Sequence, residues 1–234
     1  MRLDKFLANM GKGSRKDIRI FVKAGIVTID GKPAKSFDRQ IDPEKNIVKL
    51  KGELVQYKPF VYLMMNKPAG VLSATEDSHG KRTAVDLVGE EYSMYDLSPA
   101  GRLDLDTEGF LLLTNDGDYI HNVISPKKKC NKKYYARVSG KADADAAQKF
   151  ENGLVLRDGT ECQPAKLEFL SDSEIYVTIH EGKFHQVKKM SKAVGLEVEY
   201  LKRLSIGGVA LDETLGPGEY RELTAEEKET IVHE

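Results

Sequence analysis

Short apolar runs separated by turns dominate the sequence between residues 60 and 206. The runs are residues 60–66, 110–114, 133–138, 174–180 and 198–206. Their lengths are typical of β-strands, and short helical patterns lie between them, as at 141–151 and 185–194. Because helices do not alternate regularly with the strands, a doubly wound parallel sheet is disfavoured. The sequence therefore predicts an α+β fold with a mostly antiparallel sheet.

Positive charge is concentrated at the N-terminal end of the chain. Residues 1–57 contain 13 Lys and Arg against 7 Asp and Glu, a net charge of +6. The whole chain has a net charge of −1, so the other residues carry a net charge of −7. This asymmetry favours a basic module attached to a body with a different purpose. On charge alone, a basic surface that is merely solvated is the alternative.

The basic segment has the pattern of two short helices followed by a hairpin. Ser14 and Asp17 form a capping box for the second helix, and Asp30-Gly31 is typical of a hairpin turn. One face of the second helix collects four cations: Arg15, Lys16, Arg19 and Lys23. Such a face suits the phosphate backbone of a nucleic acid.

The same segment, RLDKFLANMGKGSRKDIRIFVKAGIVTIDGKPA, resembles the small RNA-binding module named after the fourth small-subunit ribosomal protein. The resemblance implies that the four cations of the second helix bind RNA. It does not imply a reaction, because this module occurs in ribosomal proteins, ribosome-rescue factors, synthetases and RNA-modifying enzymes.

The segment GRLDLDTEGFLLLTNDG, residues 101–117, places three carboxylates directly before a run of large apolar side chains. Acidic side chains are seldom buried unpaired, so a loop of fixed shape leading into a buried strand is predicted. A calcium loop fits poorly, because the position that needs a bidentate Glu is Asn115. A structural role, in which the carboxylates cap a turn and pair with Arg102, is the other alternative.

This segment also resembles the catalytic segment of the RsuA family of pseudouridine synthases, whose pattern is GRLD-x-x-(T/S)-x-G-L-(L/V)-(L/I)-x-(T/S)-x-(D/N)-G. Other segments resemble the same family: NKPAGV at 66–71, SPKKKCNKKYYARV at 125–138, EGKFHQVKKM at 181–190 and LKRLSIGGVAL at 201–211. The resemblance extends over nearly the whole chain. It implies that a uridine in ribosomal RNA is isomerised to pseudouridine without a cofactor or a metal.

The resemblance assigns the role of catalytic carboxylate to Asp104. The reaction detaches a uracil from its ribose and reattaches it through carbon 5. A carboxylate suits it either as a nucleophile at the anomeric carbon or as a base that removes the ribose 2′ proton. The sequence leaves both roles open. Asp106 is expected to shape the turn, and Arg102 is expected to bind substrate.

The stretch KKYYARV has a strand-like alternation that sends Tyr134 and Tyr135 to opposite faces. Both could be ordinary core aromatics. The family pattern K-x-Y falls on Lys132 and Tyr134, which implies that Tyr134 stacks on the target base and Lys132 contributes to substrate binding. An aromatic platform suits a base that must leave its stack before it can react.

The segment EGKFHQVKKM leads into the tetrapeptide KMSK, which is similar to the nucleotide-binding loop of some aminoacyl-tRNA synthetases. No HIGH-like partner motif accompanies it, so a synthetase is disfavoured. The family resemblance implies that Lys188 pairs with Asp104. Lys183 and Gln186 are expected to bind substrate, and His185 is given no catalytic role.

These observations predict an RNA-binding module at 1–57 and a catalytic domain at 58–234. The compact length and the lack of a long basic tail favour 16S ribosomal RNA of the small subunit as the target. The alternatives are a large-subunit enzyme of the same family and a non-catalytic RNA-binding assembly factor. Cys130 and Cys162 indicate neither a disulfide framework nor a zinc site, and they fit a reducing cytosol. We expect ribosomal RNA or a ribosomal assembly intermediate as partner, no membrane, no cofactor or metal, and a monomer.

Overall fold

Apolar side chains three and four residues apart on two short helices pack with apolar strand and loop residues to form the core of the first sixty residues. In the computed structural model, which describes residues 1–233, this first unit comprises Met1–Phe60 and Glu91–Tyr95. Its elements are α1 (Leu3–Asn9), α2 (Arg15–Lys23), β1 (Val27–Ile29), β2 (Lys32–Pro33), β3 (Val48–Leu50) and β4 (Glu53–Leu54). The strands pair antiparallel in the order β2-β1-β3-β4. Phe6, Leu7 and Ile18 are fully buried between the helices and this sheet.

The second helix of this unit presents its cations to solvent. Its N-terminus carries the capping box expected from the sequence, in which Ser14 Oγ accepts from Asp17 N and the Asp17 carboxylate accepts from Ser14 N. Ile18 and Val22 are buried on one face of α2. The exposed side chains on the helix include four cations: Arg15, Lys16, Arg19 and Lys23.

A segment from later in the chain completes the first unit. Residues 91–95 belong to it, although Val61–Glu90 and the chain from Asp96 onward belong to the second unit. The Tyr95 hydroxyl donates a hydrogen bond to Lys58 O at 2.9 Å. Gly11 has a φ of +65°, and a Cβ at that position would overlap the side chain of Met94. The boundary expected between residues 57 and 58 stays a prediction.

The second unit is built on a large sheet. Its strands are β5 (Tyr62–Lys67), β6 (Ser98–Pro99), β7 (Glu108–Thr114), β8 (Lys132–Gly140), β9 (Leu154–Val155), β10 (Glu161–Cys162), β11 (Lys166–Ser171), β12 (Glu174–Ile179), β13 (Leu196–Ile206), β14 (Val209–Ala210) and β15 (Tyr220–Glu222). The main sheet has the order β11-β12-β8-β13-β7-β5-β15, with β14 paired to β13 and β6 to β7, and β9 pairs with β10 separately. Neighbouring strands are antiparallel except β7 and β13, which are parallel. This architecture confirms the predicted α+β class.

The helices of the second unit are α3 (Gly117–Ile124), α4 (Ala146–Asn152), α5 (Gln186–Ala193) and α6 (Ala225–His233). Helices α3 and α6 contact each other, α4 contacts β11 and α5 contacts β13. A cluster of apolar side chains between helices and sheet includes Phe110, Leu112, Val123 and Ile206, all fully buried. Among residues 1–233, no helix combines the length and the apolar character needed to cross a membrane.

The close approach of β7 to β13 fixes the part of the sheet that matters for the site. Gly109 pairs with Arg203, and a Cβ at Gly109 would overlap Arg203 O. Gly109 also has a φ of +99°, which only glycine adopts readily. Arg203 pairs on its other side with Tyr134. The loop before β7 therefore enters the sheet beside Arg203 on β13, and Tyr134 lies on β8, on the other side of β13.

Candidate active site

A cavity of about 620 Å³ opens where the loop before β7 meets the residues before α5. Its walls come from residues 73–75, 98–99, 101–104 and 182–188, together with single positions that include Leu201 and Arg203. A volume of this size is typical of ligand sites. The cavity is lined by every residue that the sequence proposes for catalysis or substrate binding: Arg102, Asp104, Lys132, Tyr134, Lys183, Gln186 and Lys188.

The backbone of the Asp104 loop is held by the buried side chain of Lys67. Its ammonium donates to Thr107 O at 2.9 Å, Pro68 O at 2.9 Å and Asp104 O at 3.3 Å. Lys67 is fully buried at the end of β5, and this burial lowers the pKa of its ammonium to about 8. A second anchor is Ser73, whose hydroxyl donates to Leu103 O and accepts from Leu103 N, both at 3.0 Å.

These anchors use main-chain groups of the loop and leave the Asp104 carboxylate directed to the cavity. About a quarter of the Asp104 side chain is exposed, so its oxygens are accessible without being fully solvated. His185 Nε2 lies 3.6 Å from Asp104 Oδ1, and Lys188 Nζ lies 3.8 Å from Asp104 Oδ2. The carboxylate is therefore flanked by two nitrogens that can carry positive charge.

The Lys188 ammonium lies nearer to Asp106 than to Asp104. It donates to the two Asp106 oxygens at 2.6 and 2.8 Å, and these hydrogen bonds hold the pKa of the Asp106 carboxyl below its usual range. The sequence interpretation paired Lys188 with Asp104 alone. In the structure Lys188 bridges two carboxylates, and Asp106, which is mostly exposed, accepts its hydrogen bonds.

Tyr134 lies on the cavity side of β8 and Tyr135 on the other side, as the alternation predicts. Tyr134 is buried, with 6% of its surface exposed. The Tyr135 hydroxyl instead donates to Glu174, and its ring contacts those of Tyr176 and Tyr200 edge-on.

Arg203, to which the sequence interpretation gave no role, lies beside Tyr134. Its Nη1 is 3.3 Å from the Tyr134 hydroxyl, and its Nε donates to Phe110 O at 2.7 Å. Its Nη2 is buried and has no hydrogen-bond partner among residues 1–233. Arg203 alternates with Leu201 on the buried face of β13, and a charged residue in such a pattern is the signal that could have identified it.

Some of the residues proposed for substrate binding are engaged by the protein itself. Lys132 is buried, its ammonium donates to Val123 O at 3.0 Å and Cys130 O at 2.8 Å, and burial lowers its pKa to about 8. Gln186 is also buried, donating to Glu181 at 2.7 Å. Both residues therefore shape the cavity wall with their hydrogen bonds.

Lys183 and Arg102 are more accessible. The Lys183 main-chain N donates to Gln186 at 2.9 Å, whereas its ammonium contacts Glu161 O and lies 3.2 Å from Glu181. Arg102 is exposed at the cavity edge. The four cations of α2 belong to the first unit, and their role in RNA binding stays a prediction.

Within residues 1–233, no group of three or more His, Cys, Asp or Glu residues is placed to hold a metal ion. The groups that could act directly on a ligand are a carboxylate flanked by nitrogens, a buried aromatic ring and peripheral cations.

Comparison with known proteins gives matches to both parts of the chain. The model of the family described as RNA pseudouridylate synthase matches residues 61–193, and the model of the S4 domain matches residues 1–47. A Bacillus subtilis protein named uncharacterized RNA pseudouridine synthase YtzG is 54% identical, covering 97% of this chain and 96% of the relative.

A second relative and a solved structure match over similar lengths. Ribosomal small subunit pseudouridine synthase A of Vibrio cholerae is 44% identical, covering 99% of each chain. A solved structure described as the crystal structure of pseudouridylate synthase matches with a TM-score of 0.69 and 37% identity, covering 99% of this chain and all of the other.

Proposed function

The chain belongs to the RNA pseudouridylate synthase family, and from that membership we propose that it modifies one uridine of 16S ribosomal RNA with Asp104 as the catalytic carboxylate. As a member of this family it is a pseudouridine synthase, an isomerase that acts on RNA. The choice of the small-subunit RNA is supported by the Vibrio cholerae relative, which is named for the ribosomal small subunit and matches over nearly its full length. With ribosomal RNA as the proposed substrate, we also propose that the reaction takes place in the cytoplasm.

The observation that carries the proposal for Asp104 is its environment. Its carboxylate faces the cavity, 3.6 Å from His185 Nε2 and 3.8 Å from Lys188 Nζ, while Lys67 holds the main chain of the loop. A fixed anionic oxygen serves equally well for attack on the anomeric carbon and for removal of the 2′ proton. Both roles therefore remain within the proposal.

Tyr134 is the proposed platform for the target base. A uridine must leave its stack before its carbon 5 can reach the anomeric carbon, and an aromatic face compensates for the lost stacking. Tyr134 lines the same cavity as Asp104, and the guanidinium of Arg203 bonds its hydroxyl. The platform would thus be held in a fixed position relative to the β7–β13 contact.

The first unit is proposed to bind the RNA backbone. It matches the S4 domain, and α2 exposes Arg15, Lys16, Arg19 and Lys23 on one helix. Side chains of this kind gain affinity by releasing counterions from phosphates, which is independent of sequence. The choice of a particular uridine would then depend on the cavity and its rim.

Pseudouridine mapping of ribosomal RNA tests the proposal. RNA is compared from cells that have the gene, cells that lack it, and cells that carry an Asp104→Asn copy. We expect one 16S site to lose its modification in the second and third strains. A missing site in the large-subunit RNA would overturn the choice of substrate. If the Asp104→Asn copy restores the site, the proposed role of Asp104 is wrong, and an unchanged map in all strains would contradict the activity on ribosomal RNA.

A further inference from the structure

Phe184 is a large aromatic side chain that the fold leaves in solvent at the mouth of the cavity. It is 69% exposed and lines the cavity rim. Its ring stacks on that of His185, with centroids 3.8 Å apart and planes 21° from parallel. One face of the Phe184 ring is therefore covered by His185, and the ring as a whole remains mostly accessible.

The backbone of His185 sets up this arrangement. Its φ of 52° and ψ of 33° lie in the left-handed region, which residues other than glycine adopt rarely. His185 is the residue before α5, and its carbonyl accepts from Lys189 N at 2.9 Å. His185 Nε2 also lies 3.6 Å from Asp104 Oδ1. The imidazole of His185 therefore lies between the Asp104 carboxylate and the exposed ring of Phe184, and it contacts both.

We propose that the Phe184–His185 pair is a stacking site for the nucleobase next to the target uridine. The inference rests on the proposed function, because it requires that a uridine leaves its stack and enters this cavity. When a base is flipped out, its neighbours in the strand lose a stacking partner. An exposed aromatic ring at the mouth of the cavity can replace that partner, whatever the identity of the neighbouring base, because every base has a π-face.

The surroundings of Phe184 favour a nucleobase over a protein surface. Its neighbours in the chain are Gly182, Lys183 and His185, so the ring has no aliphatic side chain beside it in sequence. Lys189 Nζ lies 5.5 Å from the ring centroid. Lys183 Nζ lies 3.2 Å from Glu181, and Lys189 Nζ lies 2.8 Å from Asp158. Because both ammonium groups are paired with carboxylates, the exposed ring is the feature of this rim that distinguishes it as a stacking site.

Fluorescence of 2-aminopurine tests the site directly. The probe is a short single-stranded RNA with one central uridine and 2-aminopurine on its 5′ side or, in a second oligonucleotide, on its 3′ side. Stacking on Phe184 should quench the fluorescence of one of the two probes on binding. Phe184→Leu should abolish that quenching and weaken binding about tenfold, whereas Phe184→Tyr should retain both.

A matched control is available at Phe169. This residue lies on β11, is 48% exposed and is not part of the cavity lining. Phe169→Leu should bind and quench like the wild type. If Phe184→Leu also behaves like the wild type with both probes, the stacking site is refuted. An equal loss in Phe169→Leu would refute it as well, because the effect would then be general.

Turnover separates this inference from the proposed function. With ribosomal RNA as substrate, Phe184→Leu should raise KM about tenfold and change kcat less than twofold. A fall in kcat at constant KM would contradict the stacking site and indicate that Phe184 acts on Asp104 through His185. The binding assay is repeated in the Asp104→Asn background. There, activity of the Asp104→Asn protein would overturn the proposed role of Asp104, while the quenching result would still decide the stacking site.

Discussion

Arg203 Nη1 lies 3.3 Å from the phenol oxygen of Tyr134, and both side chains are buried. Burying a guanidinium costs free energy unless its N–H donors have hydrogen-bond partners. The Tyr134 hydroxyl therefore contributes to stability, apart from any role of the ring in binding a base. Contributions of the hydroxyl and of the ring can therefore be measured separately.

Substitutions at Tyr134 should distinguish the two contributions. Tyr134→Phe keeps the ring and should retain most of the activity, but it leaves Arg203 Nη1 without its partner and should lower the free energy of unfolding by about 1–3 kcal/mol. Tyr134→Leu removes the platform and should lower kcat/KM by a further factor of about 10–100, because stacking is worth ~1–3 kcal/mol per base. Urea unfolding and turnover assays measure both effects.

Tyr135 provides the control for this experiment, because it lies on the opposite face of the same strand. Tyr135→Phe should leave turnover unchanged, since its hydroxyl bonds Glu174 and its ring is not part of the cavity lining. Equal turnover by Tyr134→Leu and Tyr134→Phe would show that Tyr134 is an ordinary core residue.

Asp104→Asn is expected to give a folded, RNA-binding protein without measurable turnover. An amide is neither a useful nucleophile nor a useful base at neutral pH. For either mechanism, we therefore expect turnover to fall by about 10²–10⁴-fold or more. Folding should persist because Lys188 keeps its hydrogen bonds to Asp106. Formation of pseudouridine in the RNA is measured after a check for deamidation of the new Asn.

Asp106→Asn is the control for Asp104→Asn, because it makes the same nearly isosteric change at the neighbouring carboxylate. It weakens the hydrogen bonds of Lys188 but leaves Asp104 and its position unchanged, so most of the activity should remain. If Asp106→Asn loses as much turnover as Asp104→Asn, then the bridged pair of carboxylates acts as a unit.

Lys67 should make stability depend on pH in the alkaline range. Burial lowers its pKa from 10.5 to about 8, so between these values the unfolded chain binds more protons than the folded chain. The free energy of unfolding should therefore rise with pH across this window, by at most about 3 kcal/mol from this group. Lys132, whose pKa is also about 8, should contribute in the same direction.

The variant Lys67→Met isolates that contribution. Measured by urea unfolding between about pH 7 and pH 10, the free energy of unfolding of the variant should rise less than that of the wild type. The contribution of Lys132 to this rise should remain. Turnover should fall, since the Asp104 loop loses its hydrogen bonds to the ammonium. The exposed Lys141→Met is the control for turnover and should be as active as the wild type. A pH profile of stability identical to that of the wild type would contradict the assignment.

The cations of α2 should determine how RNA binding depends on salt. Replacing Arg15, Arg19 and Lys23 together with Glu should weaken binding and reduce the slope of log K against log salt by about 0.7–0.9 for each lost phosphate contact. The three side chains are exposed, so the fold should survive. A triple change of the same net charge at Lys32, Lys45 and Lys49 is the control. An unchanged slope in the α2 variant would show that RNA binds elsewhere.

Patterns with a local period were predictable from the sequence, and contacts between distant segments were not. The apolar run at 110–114 became β7, and the helical pattern at 185–194 became α5. The period of a strand or helix depends only on near neighbours along the chain. The sharing of Lys188 between Asp104 and Asp106 depends on where α5 begins relative to a loop some eighty residues earlier, which no local pattern specifies.

The role of Arg203 illustrates the same limit. Its segment was identified by resemblance, and the alternation of Arg203 with Leu201 is a weak local signal that distinguishes it from Lys202. Its importance comes from burial between β7 and β8, which follows from the parallel pairing of Gly109 with Arg203. Parallel pairing joins segments far apart in sequence and has no short signature.

The segment 91–95 has a consequence for how the gene can be divided. Because the chain leaves the first unit after Phe60, returns at Glu91 and leaves again after Tyr95, the two units are interleaved in sequence. A gene fragment that begins at codon 61 would encode Met94 and Tyr95 without Gly11 and Lys58, which they contact. Recombination that exchanges the whole first unit between such enzymes must therefore replace two separate stretches of the gene. A single crossover after codon 60 would combine a new N-terminal segment with the old residues 91–95, which pack against that segment.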